Sequence, residues 1–235
     1  KTYTGDPNKL VRAKNKLDWE NPHPLYVVWE ITLQCDLACK HCGSRAGAKR
    51  PDELTTAECF DMARQMAEMG VREVTLIGGE AYLRRDWHEI AAELTRLGMV
   101  VSITTGGLGM SQQLIKTAEA SGVKSISVSI DGLEETHDAQ RGVKGSWKAA
   151  VKASQQIAES GMRVTTNSQI NMLSMPELVA MADLLHEIGS IGWQLQLTVA
   201  MGRAADRPEL LLQPYHLLEL FPLLVWIKEN KLDPR

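Results

Sequence analysis

The chain has 235 residues, 44% of them apolar and 23% charged, and its net charge is −3. That is enough apolar sequence for one sizeable buried core, and a slightly acidic chain gives no electrostatic case for nucleic acid or an anionic membrane as a partner. No uninterrupted apolar run reaches the ~18 residues of a membrane span, and the polar N-terminal stretch lacks a signal-peptide core, so a reducing cytoplasm is the expected setting.

In chain order, residues 1–25 read as an N-terminal arm ending in NPHP, and residues 26–235 as one core domain. Six short runs rich in β-branched and aromatic residues predict strands: YVVWEITL (26–33), EVTLI (73–77), VVSIT (100–104), SISVSI (125–130), RVTTNSQI (163–170) and WQLQLTV (193–199). The stretches between them carry helical spacing, as in Trp87, Ile90, Ala91, Leu94 and Leu97. TTAE, Thr55 to Glu58, has the pattern of a capping box opening the first of these helices. Gly70, Gly98, Gly122, Gly161 and Gly189 each stand where a helix should close. Arg84 and Arg85 read as a solvated helix start, and His23, His88, His137 and His186 have no clustered partners. A last helix is predicted over Tyr215–Asn230. This alternation implies an α/β fold with a parallel sheet and right-handed crossovers. Six units fit a partial (β/α)6 TIM-like barrel, with a doubly wound open sheet as the rival.

Each predicted strand runs into a loop of unusual composition. CDLACKHC (35–42) follows the first, GGE (78–80) the second and TGG (105–107) the third. SIDG (129–132) ends the fourth, Asn167 and Asn171 flank the end of the fifth, and MGRA (201–204) follows the sixth. In parallel α/β folds the strand C-termini share one face, where ligands bind, so these loops should converge on a single cavity.

The cysteines carry the chemistry. Cys35, Cys39 and Cys42 lie within eight residues, and the remaining cysteine, Cys59, falls inside a predicted helix and reads as a small buried hydrophobe. In a reducing compartment a tight trio reads as metal-binding or catalytic and not as a disulfide framework. A cubane iron–sulfur cluster takes four thiolates, so three would leave one iron open to a substrate or cofactor. The alternative is structural zinc with His41 as fourth ligand, although such sites favour paired C-x₂-C elements and only one is present.

CxxxCxxC after a first strand, with GGE after the second, resembles the radical S-adenosylmethionine superfamily. The wording WEITLQCDLACKHC, SIDGLEETHDAQRG and MGRA resembles its branch with C-terminal SPASM or twitch extensions, which includes peptide maturases and some haem-pathway enzymes. The resemblance implies that Cys35, Cys39 and Cys42 are metal ligands and catalytic residues. They would hold a [4Fe–4S] cluster at which S-adenosylmethionine is reductively cleaved to a 5′-deoxyadenosyl radical that takes a substrate hydrogen. It implies cofactor contacts from Gly78, Gly79 and Glu80 to the methionine ammonium, and from Arg141, as a bidentate fork, to the carboxylate. Thr104 and Ser129 would serve ribose or carboxylate, His41 would lie near the adenine, and Asn167 and Asn171 would contact adenine or substrate. Ala81 stands where the family usually has proline, and TTGG where TNG is common. A ribosomally made peptide is the implied substrate, a small molecule or tetrapyrrole the alternative, and flavodoxin or ferredoxin the reductant. Auxiliary [4Fe–4S] clusters would need further cysteines beyond Arg235, so the intact protein is expected either to continue or to lack them. A non-catalytic metal or electron-transfer module is the remaining reading.

Overall fold

The computed structural model describes residues 16–20 and 22–232. Six strands alternate with helices: β1 (Tyr26–Glu30), β2 (Glu73–Ile77), β3 (Val100–Thr105), β4 (Ser125–Ser129), β5 (Arg163–Ile170) and β6 (Trp193–Leu197). Between and after them lie α2 (Thr56–Glu68), α3 (Trp87–Arg96), α4 (Gln112–Ala120), α5 (Glu134–Arg141), α6 (Ser146–Glu159), α7 (Leu178–Glu187) and α8 (Leu217–Ile227); a short α1 (Lys16–Glu20) precedes β1. All neighbouring strands are parallel, and their order in the sheet is their order in the chain.

That order rejects the doubly wound alternative, which requires the strand order to reverse at a switch point. With every crossover of one hand and one direction, the helices stack on one face and the sheet curls into an open half-barrel. The strand sequences encode the two faces by alternation. Val74, Leu76, Val101, Ile103, Ile126, Val128 and Val164 join α3 residues Ile90 and Leu94 and α7 residues Leu178 and Met181 in a single core. The opposite positions, among them Thr75, Ser102, Thr104, Ser125, Ser127 and Thr165, face a concave lumen of about 660 Å³. Closed barrels fill this space with layers of branched aliphatic side chains; here hydroxyls and amides leave it open.

Several local expectations hold. Thr55 and Glu58 form the capping box of α2, and the five helix-closing glycines all have positive φ. Others need correction. The SIDGLEETHDAQRG stretch carries α5, a helix not predicted from the sequence, so the β4–β5 crossover holds two helices. Arg84 is not solvated: its guanidinium pairs with Asp86 at 2.7 Å and donates to the carbonyls of Ile31 and Leu54, tying the start of α3 to β1. The last helix covers the predicted span in three forms, a 3-10 turn over Pro214–His216, α over Leu217–Ile227 and π over Lys228–Leu232. Pro208–Leu232 together make one helical stretch long and apolar enough, by length and composition, to cross a membrane; yet Leu220 and Ile227 are buried in the same core as the sheet. Most of the expected 1–25 arm lies outside the described residues. Its α1 is anchored by Asp18, which accepts from Arg72 at 2.7 Å and lies 3.5 Å from His23.

Candidate functional site

At the C-terminal ends of β1 to β4 the loops enclose a cavity of about 190 Å³. Cys35, Cys39 and Cys42 all line it, with His41, Glu80, Thr104, Ser129 and Arg141. Backbone pairing sets the position of the cysteine loop. Cys35 N–H donates to Gly47 O (2.9 Å), Ala38 N–H to Arg141 O (3.0 Å), Lys40 N–H to Gln140 O (2.8 Å) and Arg203 N–H to Cys42 O (2.9 Å). The loop is thus held by its own β1–α2 connection at Gly47 and by two segments distant in sequence, at Gln140–Arg141 and Arg203.

The three sulfurs share a second feature. Each has an N–H donor aimed at it: Leu37 N–H at Cys35 Sγ (3.4 Å), Ala46 N–H at Cys42 Sγ (3.4 Å) and Arg141 Nη1 at Cys39 Sγ (3.7 Å). Donors placed this way stabilise thiolates. Burial works against them: it pushes the Cys35 thiol up to about 12, and raises that of Cys39 despite Arg141. A bound cation would favour the thiolates of Cys35 and Cys39 against that burial. The donor set therefore fits a metal–sulfur cluster. Cys59 is buried in the core with its thiol near Leu54 O.

GGE packs directly on the cysteine loop. Gly79 N–H donates to Thr32 O at 2.9 Å and Glu80 N–H to Gln34 O at 2.8 Å. A Cβ on Gly79 would lie 2.2 Å from Gln34 O and 2.6 Å from Cys35 Cβ, so only glycine permits this approach. A cofactor ammonium, which only donates, would use backbone carbonyls here and the Glu80 carboxylate. That carboxylate is buried and accepts from Thr105 Oγ1 and Gly106 N–H, both at 2.5 Å. Burial raises its pKa to about 7, against those two hydrogen bonds. A buried acid poised there gains from an incoming cation.

Asp131 is the electrostatic hub. It is fully buried. Its Oδ2 lies 2.7 Å from Arg141 Nη2 and 3.1 Å from His41 Nε2, and its Oδ1 accepts from Gln169 N–H at 2.9 Å. Burial alone would raise its pKa, but Arg141 and His41 hold it well below the usual carboxylate range. Arg141 stays charged in turn, since Asp131 outweighs the cost of burying the guanidinium. Asp131 N–H donates to His137 Nδ1 at 3.2 Å, so His137, unassigned from sequence, belongs to this cluster. Its burial, with Arg141 nearby, lowers its pKa to about 4, which keeps it neutral. With Nη1 on Cys39 and Nη2 on Asp131, only Nε of Arg141 is without a partner. Each Nη nitrogen keeps a second N–H beyond these contacts, so the guanidinium has donors left for the expected carboxylate. Arg141 Nε and His41 Nδ1 are buried, unpartnered atoms of cavity-lining residues, which suits a polar ligand.

The two asparagines separate. Asn167 lines the lumen, with a buried, unpartnered Oδ1. Asn171 lines neither space: its Oδ1 caps the turn by accepting from Leu173 and Ser174 N–H, and its Nδ2 donates to Gln140 Oε1 at 2.5 Å. Ile77 and Thr104 line both the cysteine cavity and the lumen, so the two spaces adjoin.

Arg203 went unrecognised in the sequence. Its Nε donates to Cys39 O (2.6 Å) and its Nη1 to Ala46 O (2.9 Å), clamping the cysteine loop from beyond β6. Gly202, at φ +56°, allows the approach, since a Cβ there would lie 2.2 Å from Gly43 O. The available signal was MGRA itself, an arginine after glycine at a strand end.

Residues 29–186 match the family model described as the Radical SAM superfamily. The chain belongs to the radical SAM superfamily. It is 33% identical over 186 residues to the Fe-coproporphyrin III synthase of Methanosarcina barkeri, covering 79% of this chain and 46% of that protein. It is 31% identical over 190 residues to the mycofactocin maturase MftC of Mycolicibacterium smegmatis, covering 78% and 47%. Its fold is similar to that of Streptococcus suis SuiB bound to S-adenosylmethionine, with a TM-score of 0.74 at 17% identity over 88% of this chain and 48% of that one. SuiB bound to its precursor peptide SuiA superposes equally well, at 0.74. The chain spans about half the length of the curated relatives it matches. Radical SAM membership implies a [4Fe–4S] cluster and S-adenosylmethionine, and the three-thiolate donor set is compatible with both.

Proposed function

We propose that this chain is the core of a cytoplasmic radical SAM enzyme that modifies a ribosomally made peptide. The observation that carries the chemistry is the cavity in which Cys35, Cys39 and Cys42, each with its own N–H donor, stand beside Glu80. Three thiolates leave a cubane one iron free for the cofactor. When bound, cluster and S-adenosylmethionine supply reductive carbon–sulfur cleavage and a 5′-deoxyadenosyl radical.

The chain's own residues do the rest. Glu80 takes the ammonium of the methionine moiety, and the Nε of Arg141 supplies a donor to its carboxylate. Ser129 and Thr104 offer hydroxyls at the cavity wall towards the ribose, and His41 donates or accepts through Nδ1 near the base. Asp131 keeps Arg141 and His41 in place. The apolar shell of Leu37, Ala46 and Ile77 limits water at the site.

Two observations support a peptide as substrate. MftC is a maturase, and SuiB is known with a precursor peptide. Among the described residues the lumen is lined by hydroxyls and amides beside Val28, Ile77 and Trp193, with Glu73 its one acidic residue and no Lys or Arg. Neutral donors and acceptors suit a peptide backbone, whereas a tetrapyrrole with several carboxylates calls for cations. The similarity to the Fe-coproporphyrin III synthase favours the tetrapyrrole reading instead. The deciding experiment is anaerobic reconstitution with S-adenosylmethionine and reductant. It is run in parallel with short peptides encoded beside the gene and with iron-coproporphyrin, and products are read by mass. A mass change in a peptide supports the proposal; turnover of the porphyrin alone replaces it with the second reading.

A further inference from the structure

Cys35 has a second exposure. Besides the inner cavity it lines a groove of about 750 Å³ between the cysteine loop and the start of α3, and it is the one residue that lines both spaces. Gly47, Ala48 and Leu83 line it beside Cys35. Gly47 is bonded twice to the cysteine segment, its O accepting from Cys35 N–H at 2.9 Å and its N–H donating to Leu33 O at 2.9 Å. The groove is therefore a rigid surface one hydrogen bond away from a cluster ligand.

Its charge is the reverse of the chain's. Arg84 and Asp86 neutralise each other at 2.7 Å. Lys49 and Arg85 also line the groove; both are exposed, and among the described residues neither has an ion-pair partner. Two free cations thus rim the groove on a protein of net charge −3. A small contact surface carrying unpaired charge is the form of transient electron-transfer contacts.

We infer that this groove is where an acidic one-electron carrier protein docks, delivering its electron through Cys35. The inference rests on the radical SAM reading above. In the step, the carrier is oxidised by one electron and the cluster held by the three cysteines is reduced by one; no bond or proton changes hands. The groove and the lumen share no lining residue, so reductant and substrate need not compete.

The test uses the reconstituted protein, flavodoxin as the carrier probe and dithionite as a small reductant that needs no docking face. Lys49→Glu/Arg85→Glu is compared with Lys116→Glu/Lys152→Glu, which places the same charge change on exposed positions of α4 and α6. Two quantities are measured: flavodoxin affinity by calorimetry at low and high salt, and 5′-deoxyadenosine formed with each reductant. The groove variant should bind flavodoxin about ten-fold more weakly, with a shallower salt dependence. It should lose a similar factor in flavodoxin-driven cleavage while iron content and dithionite-driven cleavage stay at wild-type levels. Unchanged flavodoxin affinity, an equal loss in the α4/α6 variant, or an equal fall with both reductants would overturn the docking assignment. If wild-type protein forms no 5′-deoxyadenosine even with dithionite, the enzymatic reading fails, and the calorimetry still decides the groove independently.

Discussion

Arg141 Nη1 lies 3.7 Å from Cys39 Sγ, although the two residues are 102 positions apart in the chain. The same guanidinium reaches Asp131 at 2.7 Å, so one cation serves a cluster ligand and the buried hub behind it. Removing it leaves a buried carboxylate with too little compensation. Arg141→Met should destabilise the protein by about 3–5 kcal/mol. Asp131→Asn/Arg141→Met should recover a good part of that loss, because the uncompensated charge is gone. Urea unfolding of the four proteins in this cycle measures both.

Glu80 makes the cofactor-free protein pH-sensitive. Its carboxyl titrates near 4.5 in an unperturbed setting and at about 7 in the fold. Between those values the folded protein holds a proton that the unfolded chain has released, so stability falls as pH rises through this window and stays lower above it. The effect is at most about 3 kcal/mol. Glu80→Gln should flatten the dependence and exceed wild-type stability above pH 7, while weakening S-adenosylmethionine binding. Denaturation midpoints across the window, with and without the cofactor, decide this; a wild-type curve that rises with pH would contradict it.

The cysteines divide three to one. Serine at Cys35, Cys39 or Cys42 should abolish retention of about four irons and about four sulfides per chain. Cys59→Ser should keep the iron but lower stability by about 1–3 kcal/mol through a hydroxyl buried in an apolar site. Iron and acid-labile sulfide analysis after anaerobic reconstitution separates the two classes.

Arg203 should behave as a clamp. Arg203→Ala removes the donors on Cys39 O and Ala46 O, worth about 1–3 kcal/mol of local stability. Its expected signature is faster loss of iron to a chelator with an unchanged circular dichroism spectrum. Arg203→Lys should rescue only partly, since an ammonium lacks the fixed fork that spans the two carbonyls.

The βα order, the strand positions and the face on which the loops gather were legible because each follows from local periodicity and turn chemistry. The alternation in VVSIT and SISVSI also encoded the hydroxyl-lined lumen. The α5 helix was hidden because EETHDAQR has almost no apolar stripe; its buried face is His137, Gln140 and Arg141. Arg84 looked solvated because an arginine bonded to backbone carbonyls of distant loops has the same local sequence as one in water.

The sequence by itself determined that three thiols stand at the end of a first strand in a parallel α/β chain, since spacing and alternation are properties of neighbouring residues. Only the tertiary structure decided that Asp131 organises Arg141 and His41, that Arg203 grips the cysteine loop, and that Cys35 faces both the inner cavity and the groove at the start of α3. Those are contacts between loops on different strands. Barrel curvature brings them together, and burial turns ordinary polar residues into paired or unpaired charges.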